Sequence, residues 1–265
     1  MTTLARRRRH PAAVFVLIAL ALLITGAAYA AASAVSGAQA SPAVATATQV
    51  EEGERLYLEG CSSCHGLQGE GSAEDRGPSL IGVGAASAHF QVSTGRMPLA
   101  QPGAQAPAKA PIYDEEEIAA LAAYIASLGA GPAIPTAEQL DFSGADVAVG
   151  GELYRANCSQ CHQAAGKGGA LTEGKYAPGL MDADSQILYE AMVTGPQNMP
   201  VFANTTLTEQ DKKDIMSFVD FLQTGPDPGG ASLGRFGPVT EGLFLWIGAM
   251  ALLVLVAVWV GARVR

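Results

Sequence analysis

The chain has 265 residues, 49% hydrophobic and only 15% charged, with 31 Gly and 15 Pro; that is apolar for a soluble protein and loop-rich, so membrane segments are sought first. The net charge is −9, but arginines cluster at the two ends (Arg6, Arg7, Arg8, Arg9; Arg263, Arg265), and residues 36–240 carry 10 Lys/Arg against 24 Asp/Glu. An acidic middle excludes nucleic acid as the partner and suits either simple solubility or a basic docking partner.

The first predicted element is apolar. No charged residue occurs between His10 and Glu51, and within that gap "AAVFVLIALALLITGAAYAAASA" (12–34) can span a membrane or direct export. The arginines before it keep residues 1–11 in the cytoplasm. A cleavable signal peptide reads similarly, with small-residue sites at Ala28-Tyr29-Ala30 or Ala38-Gln39-Ala40. The length of the run favours a retained transmembrane helix. Either reading exports the chain beyond the linker at 35–48.

Residues 49–128 and 146–224 read as two copies of one domain. "GERLYLEGCSSCHG" matches "GGELYRANCSQCHQ" at an offset of 97 residues, with Gly53 on Gly150 and Leu56-Tyr57 on Leu153-Tyr154. Downstream, Pro78 falls on Pro178 and Met97 on Met199, and at the closing helix the 97-residue offset places Ile118 on Ile215 and Tyr124 on Phe221. Coarse structure is helical, with no convincing strand. Val50 to Cys61 has helical spacing. Glu115, Glu116 and Glu117 form a negative first turn suited to a helix dipole, followed by the stripe Ile118, Leu121, Ala122, Ile125. In the second copy Thr208 and Asp211 resemble a cap ahead of Ile215, Phe218, Val219 and Leu222. The first copy has an extra Pro/Ala-rich surface loop at 99–111, either a tolerated insertion or a contact surface.

The segments 129–145 and 225–242 are rich in Gly, Pro and small residues and read as tethers. Leu243 to Ala262 is then 20 residues without a charge, enough at about 1.5 Å per residue to cross the hydrocarbon layer. Trp246 and Trp259 lie near its ends, where indole rings favour the interface, and residues 263–265 end in the cytoplasm.

All four cysteines of the chain fall in Cys61-Ser62-Ser63-Cys64-His65 and Cys158-Ser159-Gln160-Cys161-His162. Disulfides fit an exported location but leave a histidine after each pair unexplained. A zinc site would need four ligands, and each copy offers three. Covalent heme explains both: cysteines three apart on a helix share a face and reach the two vinyl groups of one porphyrin, and the next residue turns its imidazole to the iron. Met97 and Met199 follow their histidines by 32 and 37 residues, each after a Thr-Gly loop and before a proline, and are the candidate sixth ligands. Met181, Met192 and Met216 lack equivalents in the first copy and read as core residues. His89 reads as a surface or locally bonded residue, with heme ligation the alternative. Pro78 and Pro178 shape the backbone near the histidines; Tyr57, Tyr154 and Tyr124 pack on the hemes or between helices.

On these motifs the chain resembles the class I cytochromes c, twice over. The resemblance implies an all-α fold: two tandem heme domains with crossing opening and closing helices, covalent heme at Cys61, Cys64, Cys158 and Cys161, and iron ligation by His65, Met97, His162 and Met199. The long loop after Met97 departs from the family pattern. The full architecture, two heme domains held by a carboxy-terminal and an amino-terminal transmembrane helix, is similar to the diheme cytochrome c subunit of the actinobacterial menaquinol–cytochrome c reductase. That resemblance implies cytochrome b and Rieske iron–sulfur partners, electron transfer to a heme–copper oxidase, and heme domains on the extracytoplasmic side of the cell membrane. The alternatives are a diheme carrier for another dehydrogenase or reductase, or a heme enzyme such as a peroxidase. No bond-breaking site of the chain's own is apparent.

Overall fold

The computed structural model describes residues 11–36, 45–72, 77–101, 103–226, 233 and 238–263. Arg6 to Arg9, Arg265, the Ala38-Gln39-Ala40 site and most of the segments 37–44 and 227–237 lie outside the described residues.

Helix α1 (Pro11–Ser36) forms a unit of its own. Its apolar stretch Phe15–Ala27 is exposed and shorter than a full span.

In the first heme-domain repeat, α2 (Ala47–Gly60) starts where the Thr46 side chain accepts a bond from Gln49 N. It buries Gly53, Leu56 and Tyr57, spaced three and four apart on one face. A single turn, α3 (Ser62–His65), follows, then α4 (Gly84–Ser93) and α5 (Glu115–Ser127). Asp114 caps α5 in a reciprocal box with Glu117, satisfying two otherwise orphan backbone donors. The core joins Leu56, Tyr57, Val92, Ile118, Leu121, Tyr124 and Ile125.

The second repeat has the same order: α7 (Val147–Asn157), α8 (Ser159–His162), α9 (Ser185–Thr194) and α10 (Glu209–Thr224). Thr208 caps α10 in a box with Asp211, as its sequence suggests. Tyr154, Tyr189, Met192, Phe202, Leu207, Ile215, Met216 and Val219 make its core, which places Met192 and Met216 where their lack of equivalents puts them. A short antiparallel pair, β1 (Gly169–Ala170) with β2 (Tyr176–Ala177), is the one departure from an all-helical reading among the described residues.

The opening and closing helices cross at glycine. A Cβ on Gly53 would fall on the backbone carbonyl of Ala120, and one on Gly150 on that of Asp214. This pairing corrects the register of the repeat. Ala120 and Asp214 are 94 apart, as are the caps Asp114 and Thr208. Tyr124 therefore corresponds to Phe218, not Phe221: Tyr57 meets Tyr124 at 5.1 Å between ring centroids, and Tyr154 meets Phe218 at 5.2 Å. Phe221 is 50% exposed. In the same register Ile118 corresponds to Lys212, which is fully buried and donates to Asn204 Oδ1 at 2.8 Å and Leu207 O at 2.6 Å.

The segment 129–145 is not a free tether. Pro132 O accepts from Ala86 N at 3.0 Å. Thr136 and Gln139 form a capping box around α6 (Ala137–Leu140), and Leu140 and Phe142 pack on the second core.

At the end, α11 (Pro238–Arg263) contains Thr240–Arg263, 24 residues long and apolar enough to cross a membrane. Its large apolar side chains from Leu243 to Val260 are exposed. The Arg263 guanidinium lies 4.4 Å from the Trp259 ring centroid, a cation–π pair at one end of the span.

Candidate functional site

Each Cys-x-x-Cys-His motif occupies one helical turn at the end of an opening helix. Cys61 O accepts from Cys64 N at 3.1 Å and His65 N at 3.0 Å; Cys158 O accepts from Cys161 N at 3.1 Å and His162 N at 2.9 Å. The turn puts both sulfurs of a motif on one side. It is stopped by a residue of positive φ, Gly66 (83°) or Gln163 (63°), a conformation that costs glycine nothing and glutamine a little. The stop is anchored from behind: Tyr57 Oη donates to Gly66 O at 2.6 Å, and Tyr154 Oη to Gln163 O at 2.8 Å. Both tyrosines are fully buried. They thus sit between helices and also fix the chain that leaves the motif.

The histidines are aimed in the same way. His65 Nδ1 lies 2.8 Å from Pro78 O, and His162 Nδ1 lies 2.8 Å from Pro178 O. A carbonyl can only accept, so Nδ1 carries the proton and Nε2 presents its lone pair, the tautomer an iron ligand needs. Pro78 and Pro178 therefore act through their carbonyls. Burial lowers the His162 pKa below the usual imidazole range, against the opposing pull of the Pro178 bond, which favours the neutral, ligating form. Burial also pushes the Cys61 and Cys158 thiols up to about 11, with the neighbouring cysteine adding to the effect.

Met97 packs against the same core as Cys61 and Leu80, and Met199 against the same core as Cys158 and Leu180. Met97 N donates to Gln91 O at 2.9 Å, and Met199 N to Pro196 O at 3.1 Å, so both methionines sit on hydrogen-bonded loops after α4 and α9. In the second repeat a cavity of about 1270 Å³ is lined by Cys158, Cys161, His162, Pro178 and Met199, and by Met192 and Met216. It exceeds the usual small-ligand range and brings the motif and the distant methionine to one space. Its wall continues into the first repeat, at Ser93 and Arg96. The Ser93 hydroxyl is buried with no hydrogen-bond partner, and the Arg96 guanidinium lies 5.0 Å over the Phe90 ring.

The rival readings of the cysteines fare differently. All four are free thiols. Among the described residues no group of three or more His, Cys, Asp or Glu converges as a metal cluster. His89 is locally bonded: its Nδ1 lies 2.8 Å from Glu190 Oε2, across the boundary between repeats. Sequence reasoning missed Glu190, fully buried, and Lys212; a charged residue inside an amphipathic stripe reads as solvent-facing until its partners are known.

Opening and closing helices crossed at glycine, a Cys-x-x-Cys-His turn and a histidine held by a proline carbonyl, all present twice, define a diheme c-type cytochrome. Comparison with known proteins agrees: residues 50–129 match the family model "Cytochrome c", and residues 145–219 match "Cytochrome C oxidase, cbb3-type, subunit III". Over longer spans the chain is similar to proteins named cytochrome bc1 complex cytochrome c subunit. It is 46% identical to that of Corynebacterium efficiens over 81% of this chain and 77% of the relative. It is 46% identical to that of Mycobacterium tuberculosis over 84% and 83%, and 43% identical to that of Corynebacterium diphtheriae over 93% and 92%. The chain belongs to this family, the cytochrome c subunits of the bc1 complex. It is an electron carrier within a quinol–cytochrome c reductase, and its two Cys-x-x-Cys pairs imply two c-type hemes.

Proposed function

We propose that this chain is the membrane-anchored diheme link between a Rieske iron–sulfur protein and a heme–copper oxidase, in a complex with cytochrome b. The observation that carries the electron-transfer reading is the paired His65–Pro78 and His162–Pro178 geometry, each set against a methionine loop on the same core. In this reading the heme domains span 49–128 and 146–224. Cys61 and Cys64, then Cys158 and Cys161, form the thioethers; His65 and Met97, then His162 and Met199, ligate iron. Bound this way, each heme supplies a reversible one-electron couple, and thioether ligation raises its potential.

The chain's own residues do the rest. The Pro78 and Pro178 carbonyls hold the imidazoles in one tautomer and orientation. The two cores exclude water from the sites, which lowers the local dielectric and tunes the couple. Arg96 and Ser93, whose hydroxyl is unpartnered, line the cavity of the second repeat, where they suit the carboxylate arms of a heme. No residue needs to gain or lose a proton for the electron to pass.

The α11 span, together with a retained α1, supports a reading in which both chain ends lie in the cytoplasm and the heme domains outside. Anchoring raises the effective concentration of the carrier at both partners. The acidic 36–240 region suits basic docking faces on them. The names of the relatives support the complex: each is called a cytochrome bc1 complex cytochrome c subunit. Purification through a tag on this chain in mild detergent tests the assignment. Cytochrome b, the Rieske protein and a heme–copper oxidase are expected to come with it; recovery of the diheme chain without them contradicts the reading.

A further inference from the structure

The loop 99–111, an insertion with no counterpart in the second repeat, ends in a set of reciprocal contacts with that repeat. The Gln105 carboxamide donates from Nε2 to Tyr176 O at 2.7 Å and accepts at Oε1 from Tyr176 N at 2.9 Å. In the opposite direction, the Gln197 carboxamide donates to Ala106 O at 3.1 Å and accepts from Ala106 N at 3.3 Å. Each side-chain amide thus pairs with both backbone groups of one residue, as a neighbouring strand would. Pro107 follows Ala106 and restricts it to extended backbone, so its N–H and C=O are set for pairing. Gln197 has φ +58°, an uncommon conformation for a non-glycine residue that persists where surroundings enforce it.

These contacts connect the two methionine loops. On one side the insertion is rooted beside Met97: Lys109 N donates to Thr94 O at 3.2 Å, and Lys109 Nζ to Pro98 O. On the other, Gln197 lies two residues before Met199. A second bridge is independent of the loop. His89 on α4 bonds Glu190 on α9, and Gln186 Nε2 donates to Glu190 Oε1 at 3.0 Å. The docked segment around Pro132 and α6 closes a third side.

We propose that the 99–111 loop is a clasp that holds the two heme domains in one arrangement, with Gln105 and Gln197 as its positioning residues. The inference rests on the diheme reading. The step served is a one-electron exchange in which one domain is oxidised and the other reduced, with no bond made or broken. Its rate falls steeply with separation. Domains on a chain tend to move relative to one another, so the clasp, added to the His89–Glu190 bridge and the docked 129–145 segment, narrows the distribution of separations.

The test uses the full-length diheme chain and its Q105A, Q197A and Q105A/Q197A variants, with Q101A as a loop control. Covalent heme content and the midpoint potential of each heme are measured first; unchanged values show both domains and the diheme reading intact. Intramolecular electron transfer after flash reduction is then expected to slow in the double variant and lose its single-exponential form, while Q101A matches the parent. A double variant with both hemes intact and the parent's rate overturns the clasp. Hydrogen exchange on the unmutated chain gives a second reading independent of folding: the Ala106 and Tyr176 amides should be protected. Exchange at the rate of open amides would equally overturn it.

Discussion

Gly53 rests on the backbone carbonyl of Ala120 with no room for a side chain between the opening and closing helices, and Gly150 rests on Asp214 in the same way. A methyl group here meets backbone, which cannot rotate aside. Gly53→Ala and Gly150→Ala should each cost about 1–3 kcal/mol or more. Gly103→Ala, where the nearest atom to a new Cβ is 3.8 Å away, should stay within about 1 kcal/mol of the parent. Guanidinium unfolding of the heme-loaded chain, followed by heme absorbance, checks the order.

The ring contacts make the register testable. Phe218 packs at a tilt against the buried Tyr154, whereas Phe221 is 50% exposed. Phe218→Ala should destabilise the second domain by more than about 2 kcal/mol, and Phe221→Ala by less than about 1 kcal/mol. The reverse order in the same unfolding assay would restore the 97-residue offset at the closing helix.

The tyrosine hydroxyls are a separate contribution. Removing the Tyr57 hydroxyl takes away the donor to the Gly66 carbonyl, and removing the Tyr154 hydroxyl leaves the Gln163 carbonyl with Gly166 N at 3.2 Å. Tyr57→Phe and Tyr154→Phe should each cost about 1–2 kcal/mol with heme content unchanged, as read by unfolding midpoints and a covalent-heme gel stain.

Much of this was legible because the chain repeats itself. Matching Cys61 to Cys158 also matched Gly53 to Gly150 and Tyr57 to Tyr154, and all three pairs hold equivalent places. The offset then drifts, because loops differ in length between the copies: Pro78 and Pro178 are 100 apart, and the caps Asp114 and Thr208 only 94. Returning to the 97-residue offset at the closing helix paired Tyr124 with Phe221; only packing shows that Phe218 fills the place. The clasp left no sequence signal, because Gln105 in "QPGAQAPAKAP" looks like any polar loop residue. Its partner is backbone, and backbone has no letter.

Ligation by the methionines has its own prediction. Met97→Leu and Met199→Leu should each lower the midpoint potential of one heme and leave the other near its parent value, in a redox titration of the purified chain. Parent values for both hemes in both variants would remove the methionines from the iron.

The membrane reading turns on α1. Deleting α11 should leave the chain in the membrane fraction if α1 is retained. Release of diheme protein into the soluble extracytoplasmic fraction, with a new amino terminus after residue 30 or 40, would show that α1 is cleaved.

The central claim is that each motif fastens one heme. It is tested most directly by counting covalent heme per chain, by pyridine hemochrome against protein mass, in the parent and in Cys61→Ala/Cys64→Ala and Cys158→Ala/Cys161→Ala. Two hemes in the parent and one in each variant is the expected result. A parent with fewer than two, or a variant that keeps both, would contradict it.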